Sequence, residues 1–93
     1  MALVDLKLIN FFYLKTKKKL LHYEGEIVSD VIQKFINDYG EKLDDNMLNE
    51  KKNRLSSDTI ILLNGRNIEY LNGKKTPLND GDRLVFSLRM AGG

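Results

Sequence analysis

The stretch TPLNDGDRLVFSLRMAGG at residues 76–93 decides the fold of this chain. It contains a turn at residues 79–82 (NDGD), because glycine and aspartate tolerate the backbone angles of a tight reversal. Residues 83–88 alternate apolar and polar side chains, which predicts a strand with one face on a core and the other toward water or a partner. Residues 89–93 are too few to fold back, so we expect a flexible tail.

The sequence finishes at Gly92 and Gly93, where neither a turn nor a helix cap would need a glycine. Without Cβ atoms, both residues could pass through a narrow channel and bring a terminal carboxylate to a reactive centre. A chance occurrence of the pair is the alternative. The pair therefore predicts a functional chain end only if the rest of the chain forms a platform for it.

The composition is that of one globular domain, which we place at residues 1–88, ahead of the tail at residues 89–93. The chain has 93 residues, of which 42% are hydrophobic and 30% charged. It has no cysteine, which excludes disulfides, thiolate metal sites and cysteine nucleophiles. The net charge of +2 is too small to predict direct binding to nucleic acid.

The first ten residues, MALVDLKLIN, alternate polar and apolar side chains and do not resemble a signal peptide. No stretch has the run of apolar residues that a membrane helix needs. We therefore expect a cytoplasmic protein without membrane contact.

His22 is the only histidine, and no carboxylates are spaced to complete a metal site with it. Arrangements typical of hydrolases are also missing, so we predict no catalytic residues, no metal and no enzyme activity of the chain itself. The basic cluster holds four lysines, for which a solvated loop or strand edge is expected and an anionic partner is the alternative. These lysines are Lys15, Lys17, Lys18 and Lys19.

Three segments predict the frame of the domain. Residues 3–10 and 18–24 alternate in polarity and predict a hairpin, with the aromatic residues 11–13 partly exposed near its loop. A helix should begin at Ser29, whose side chain can cap the first turn, and end at a left-handed Gly40. Its apolar stripe would cover the sheet.

Residues 59–63 form a continuous apolar strand, and one helix can cover only one of its faces. Two interpretations stay open for the second face. It is a docking patch, or apolar residues of the crossover fold over it. The candidate partner surface consists of Ile60, Leu62, Val85 and Ser87, and the candidate covering residues are Leu43, Met47, Leu48 and Leu55.

Together these segments predict an α+β fold, a mixed sheet of four or five strands packed on one main helix. The first and last strands would lie side by side and parallel in the middle. Leu63-Asn64-Gly65, Thr76-Pro77-Leu78, Asp80-Gly81-Asp82 and the terminal glycine pair resemble the MoaD/ThiS sulfur carriers. The spacing of these motifs is also similar to that in the ubiquitin-related modifier and the small archaeal modifiers.

This resemblance implies a β-grasp, ubiquitin-like fold and an activated chain end. A ubiquitin-activating or MoeB-type enzyme would adenylate Gly93 with ATP and magnesium, so no cofactor is bound permanently. A sulfur donor would then give a thiocarboxylate for a sulfur acceptor enzyme, in transfer RNA thiolation or molybdopterin synthesis. The partner would recognise the tail through Arg89, Met90 and Ala91.

Two departures from the bacterial carriers bear on the role. Leu88 and Arg89 stand where those carriers commonly have prolines, and Ser87 stands where they often have an aromatic residue. These differences favour a modifier-like or broader carrier role. The alternatives are a modifier joined only to lysines of target proteins, and a β-grasp interaction module that is never activated.

Overall fold

The computed structural model describes residues 1–48 and 54–89. Within these residues the chain forms five strands and two α-helices, joined by short turns and 3-10 segments. No helix in this part of the chain is both long and apolar enough to cross a membrane. The strands are β1 (Ala2–Leu8), β2 (Leu20–Gly25), β3 (Thr59–Leu63), β4 (Arg66–Asn67) and β5 (Arg83–Leu88), and the helices are α1 (Asn10–Thr16) and α2 (Val28–Tyr39).

The strands form one mixed sheet in the order β2-β1-β5-β3-β4. β5 runs parallel to β1, with Leu84 beside Leu6 and Phe86 beside Leu8, and it runs antiparallel to β3. This confirms the prediction that the first and last strands are parallel neighbours in the middle of the sheet. Because β5 is paired on both sides, its position is set by the whole sheet.

The core lies between the sheet and α2. The inward side chains of Leu6, Leu84 and Phe86 are fully buried, as the alternation along β1 and β5 predicts. The Phe86 ring meets Phe35 of α2 and Phe12 of α1 edge to face, with centroids 5.4 and 6.0 Å away. These aromatic contacts anchor both helices to β5.

The segment at residues 11–13, predicted as a loop, belongs to helix α1. Phe12 and Thr16 lie four residues apart and are both buried, so one side of a short helix packs onto β5. Phe11 and Tyr13 are partly exposed, as expected. The loop prediction was wrong because a helix of seven residues is too short for a hydrophobic period to stand out.

Helix α2 begins and ends differently from the prediction. Its N-cap is Ile27, and Ser29 lies inside the first turn. The Asp30 carboxylate accepts hydrogen bonds from the backbone N–H groups of Glu26 and Ile27, at 2.8 and 3.1 Å. Gly40 has a right-handed backbone (φ −54°) and continues into a 3-10 turn, so the predicted left-handed ending is wrong.

Candidate functional site

The first part of the site is the place where β5 leaves the sheet. The strand ends at Leu88, and Arg89 follows it on the surface. The other predicted tail residues, Met90, Ala91, Gly92 and Gly93, lie outside the described residues. The structure therefore locates the origin of the tail, and its recognition by a partner stays a prediction.

The origin of the tail is held from two sides. On the side of β1, the Asn10 carboxamide bonds to both backbone groups of Leu88, with Oδ1 accepting at 3.1 Å and Nδ2 donating at 3.0 Å. Asn10 Nδ2 also donates to the Ser87 hydroxyl at 2.8 Å. On the side of β3, the Arg89 N–H donates to the carbonyl of Asp58 at 2.8 Å. The backbone is thus held up to Arg89, the first residue of the predicted tail.

The second part of the site is the outer face of the sheet beside this point. Sheet register places Ile60 directly opposite Ser87, and Leu62 directly opposite Val85. All four side chains are half-buried. The structure therefore brings the four predicted surface residues together as one outer patch on β3 and β5, next to the origin of the tail.

The four candidate covering residues, all in the described part of the crossover, pack away from this outer patch. Their side chains belong to the same buried cluster as Ile61 and Leu63, which point to the opposite face of β3. They therefore complete the core, so the interpretation that they fold over the outer face was wrong, and a docking role of the patch stays a prediction. The buried crossover residues are Leu43, Met47, Leu48 and Leu55.

More exposed apolar side chains lie on β1, on β2 and just after β1, and Leu3 among them is at the opposite end of β1 from the tail. Ile9, Leu3 and Leu20 are 38%, 52% and 45% exposed. Lys7 lies beside both Val85 and Leu20 in the sheet register and adds a positive charge between them. The face thus offers apolar contact area interrupted by a cation, a combination found at protein interfaces.

Charged groups on the outer face form a small network away from the tail. The Asp5 carboxylate contacts His22 Nδ1 at 2.8 Å and Arg83 at 3.7 Å. His22 thus lies on β2 and makes an ordinary hydrogen bond to Asp5. Within residues 1–48 and 54–89, no three acidic or histidine side chains converge on a metal position.

Among the residues that the structure describes, the two groups with shifted pKa values lie outside the outer patch. Partial burial, and a hydrogen bond to Asp38, raise the pKa of the Tyr23 hydroxyl. Hydrogen bonds from the backbone of Glu26 and Ile27 lower the pKa of Asp30. Tyr23 packs against the core and Asp30 caps α2, so both shifts report on structure.

Asn10 and Asp58 are the site residues that sequence reasoning missed. A signal for Asn10 was present, because an asparagine ahead of the apolar run FFYL is typical of a helix start. That signal would have predicted α1 but not the contact with Leu88. Asp58 contributes only a backbone carbonyl, which no side-chain pattern could indicate.

A mixed sheet wrapped around one helix, with a central last strand that ends beside an apolar face, defines a β-grasp, ubiquitin-like protein. The model of the ThiS family matches residues 8–93, and the chain belongs to this family. Its structural relatives include a small archaeal modifier protein and a CysO protein solved in complex with BexX. Comparison with curated proteins gives no match.

The solved structures include a relative that is similar along the whole chain. Small archaeal modifier protein 1 from Methanosarcina acetivorans is 28% identical, with a TM-score of 0.86 over 100% of this chain and 98% of its own. Urm1 from Trypanosoma brucei is 20% identical, with a TM-score of 0.74 over 99% and 96%. The matching chain of the Amycolatopsis orientalis BexX/CysO complex is 21% identical, with a TM-score of 0.75 over 97% of this chain and 99% of its own. The last two establish the fold only.

Proposed function

We propose that this protein is a carrier whose Gly93 carboxylate is adenylated by an activating enzyme and converted to a thiocarboxylate. The proposal rests on the way the backbone is held at the origin of the tail. The backbone of Leu88 and Arg89 is held by Asn10 of α1 and by the carbonyl of Asp58 just before β3, beside the half-buried outer patch. Such an arrangement suits a partner that docks on the patch and takes up the residues that follow.

The chemistry requires little from the carrier itself. A carboxylate is a poor electrophile, because its charge repels nucleophiles and oxide is a bad leaving group. In the activating enzyme, with magnesium, a Gly93 oxygen would attack the α-phosphate of ATP and release pyrophosphate. A sulfur nucleophile would then attack the carbonyl carbon, forming the C–S bond and releasing AMP. The partner supplies positioning and charge neutralisation.

The carrier supplies the docking surface and the reach. In this proposal the outer patch contacts a ubiquitin-activating or MoeB-type enzyme, and the backbone of Arg89, Met90 and Ala91 is gripped as an extended strand. The structure of CysO as a BexX/CysO complex supports a protein partner for this fold. ATP and magnesium belong to the partner's site.

A second role uses the same activated intermediate. The amine of a target lysine would attack the carbonyl carbon of the adenylate and form an amide with Gly93 as the bond to AMP breaks; from an ester made from the adenylate, the ester's alcohol or thiol would leave instead. The relative from Methanosarcina acetivorans, named a modifier, favours this second role. The two roles differ only in the nucleophile that accepts the activated carbonyl.

The test is an incubation with ATP, magnesium, sulfide and the activating enzyme encoded by the same genome. We expect the intact mass to increase by the exchange of one oxygen for sulfur. A chain lacking Gly92 and Gly93 is the matched control and should keep its mass. An unchanged mass of the full chain would contradict both roles.

Expression in cells distinguishes the roles. Protein adducts of high molecular mass that disappear when Gly93 is deleted would select the modifier. A deletion of Gly92 and Gly93 that leaves every phenotype intact would instead indicate an interaction module that is not activated.

A further inference from the structure

Asn10 replaces a neighbouring strand at the end of β5. β1 ends at Leu8, so its own backbone no longer accompanies the last residue of β5. The Asn10 carboxamide, which has a donor and an acceptor on one planar group, takes over and satisfies both the N–H and the C=O of Leu88. A third hydrogen bond joins it to the Ser87 hydroxyl.

The backbone of Asn10 is arranged for this contact and is tied to the core. Its φ of 47° is left-handed, a conformation that asparagine adopts more readily than most residues. Its Oδ1 also accepts from the N–H of Phe11 at 2.6 Å. Two residues further, the fully buried Phe12 ring packs on Phe86 of the same strand. The carboxamide is therefore held by α1 and cannot easily follow a movement of the chain end.

We infer that Asn10 is the positioning residue of the tail, which fixes the direction in which the chain leaves the sheet toward its partner. The inference rests on the proposed function in that the tail is the part taken up by the activating enzyme. Without the carboxamide, Leu88 would sample additional conformations, and binding would have to remove them. The expected loss is in affinity, because Asn10 does not touch the reacting carboxylate.

Asn64, at the other end of β5, provides a matched control for Asn10. Asn64 is also left-handed (φ 51°), and its Oδ1 accepts from the N–H of Arg83 at 2.9 Å. Its Nδ2 donates to the Asp82 carboxylate at 2.9 Å. Asn64→Gly and Asn10→Gly thus remove the same group from the same backbone conformation, one at each end of β5. Glycine accepts that conformation without strain, so both variants should fold.

Amide hydrogen exchange of the whole chain, measured by NMR, tests the local effect without any partner. Rates are taken relative to the Phe86 amide of the same variant, which removes changes in global stability. Asn10→Gly should accelerate exchange at Leu88 about tenfold and leave Arg83 unchanged, because one hydrogen bond is lost. Asn64→Gly should do the reverse. Equal responses of Leu88 and Arg83 to both variants, or an unchanged Leu88, would overturn the inference.

The kinetics of the activating enzyme test the positioning role. Asn10→Gly should raise the KM for the carrier roughly 5- to 10-fold and leave kcat within about twofold, whereas Asn64→Gly should change neither. Faster exchange at Leu88 with an unchanged KM would show a purely structural role and overturn the inference. Absence of adenylation in the wild-type chain would refute the proposed function instead, and the exchange pattern would still decide whether Asn10 holds the origin of the tail.

Discussion

The two ends of β5 are held in different ways. At the entry end the turn at residues 79–82 closes on itself, with the Asn79 N–H bonded to the Asp82 carboxylate at 2.8 Å. The turn also bonds to the start of β1, where Gly81 N–H donates to the Leu3 carbonyl and Leu3 N–H to the Asp80 carboxylate. At the exit end, one carboxamide and one carbonyl from distant segments hold the strand.

This difference suggests that the entry end anchors β5 in the domain, whereas the exit end presents the tail to a partner. The entry end is tied to a local turn and to β1, so its geometry needs no partner. At the exit end the described contacts reach Arg89, and the proposed function assigns the residues that follow to a partner. Substitutions at the core, the entry end and the chain end should therefore lower the free energy of unfolding by progressively smaller amounts.

Phe86→Ala should have the largest effect, because Phe86 lies between both ends and its ring is fully buried against Phe12 and Phe35. We expect the free energy of unfolding to fall by about 3–5 kcal/mol, measured by denaturant titration. Val85→Ala, on the half-buried outer face of the same strand, is the control and should cost much less. Equal losses would mean that the outer face is packed as tightly as the core.

Gly81→Ala should weaken the entry end. Gly81 has a φ of +86°, and an added Cβ would meet no atom within 4 Å, so only the backbone conformation opposes the substitution. We expect a loss of about 1–2 kcal/mol in the same titration. Gly81→Asn should cost less, because asparagine tolerates a left-handed backbone better than alanine. If both variants have the same free energy of unfolding as the wild type, the turn does not anchor β5.

The entry end could be predicted from sequence because its chemistry is local. Residues 79–82 contain the turn residues themselves, and the alternation that follows assigns Leu84 and Phe86 to the core. The same period-two pattern places Val85 and Ser87 on the outer face, where the structure pairs them with Leu62 and Ile60.

The exit end could not be predicted in the same way. Asn10 is 77 and 78 residues away from Ser87 and Leu88, and no local pattern indicates a contact over that separation. The prediction of where α2 begins was wrong for a different reason. Ser29 and Asp30 are both residues that favour a helix start, and the structure uses Asp30 from inside the first turn.

Low pH should destabilise the start of α2 and, through it, the segment at Thr76 that precedes the entry end of β5. Asp30 caps α2. The Val28 N–H, in the first turn of this helix, donates to the carbonyl of Thr76 at 3.1 Å, and Thr76 lies shortly before the turn at residues 79–82. The pKa of Asp30 is lowered by its backbone hydrogen bonds, so its stabilising contribution is present above the unfolded pKa of about 3.9 and is lost as the pH falls through the folded pKa.

Asp30→Ala should therefore cost about 1 kcal/mol at neutral pH, and the difference from the wild type should shrink below about pH 4. Denaturant titrations of both proteins over this pH range measure it. The contacts that hold the exit end use an amide side chain and backbone groups, which do not titrate there. A difference that persists at low pH would mean that the Asp30 charge is not what caps the helix.

Gly93→Ala should have the smallest effect on unfolding and still abolish or strongly impair activation. In the proposed partner, a methyl group on residue 93 would block the narrow channel that takes up the chain end, whereas the contacts described for β5 lie at Arg89 and earlier in the chain. Thermal unfolding of both proteins should give the same Tm, and the adenylation assay should separate them. A large fall in Tm would show that residue 93 packs against the domain, and the division between an anchoring end and a presenting end of β5 would then be wrong.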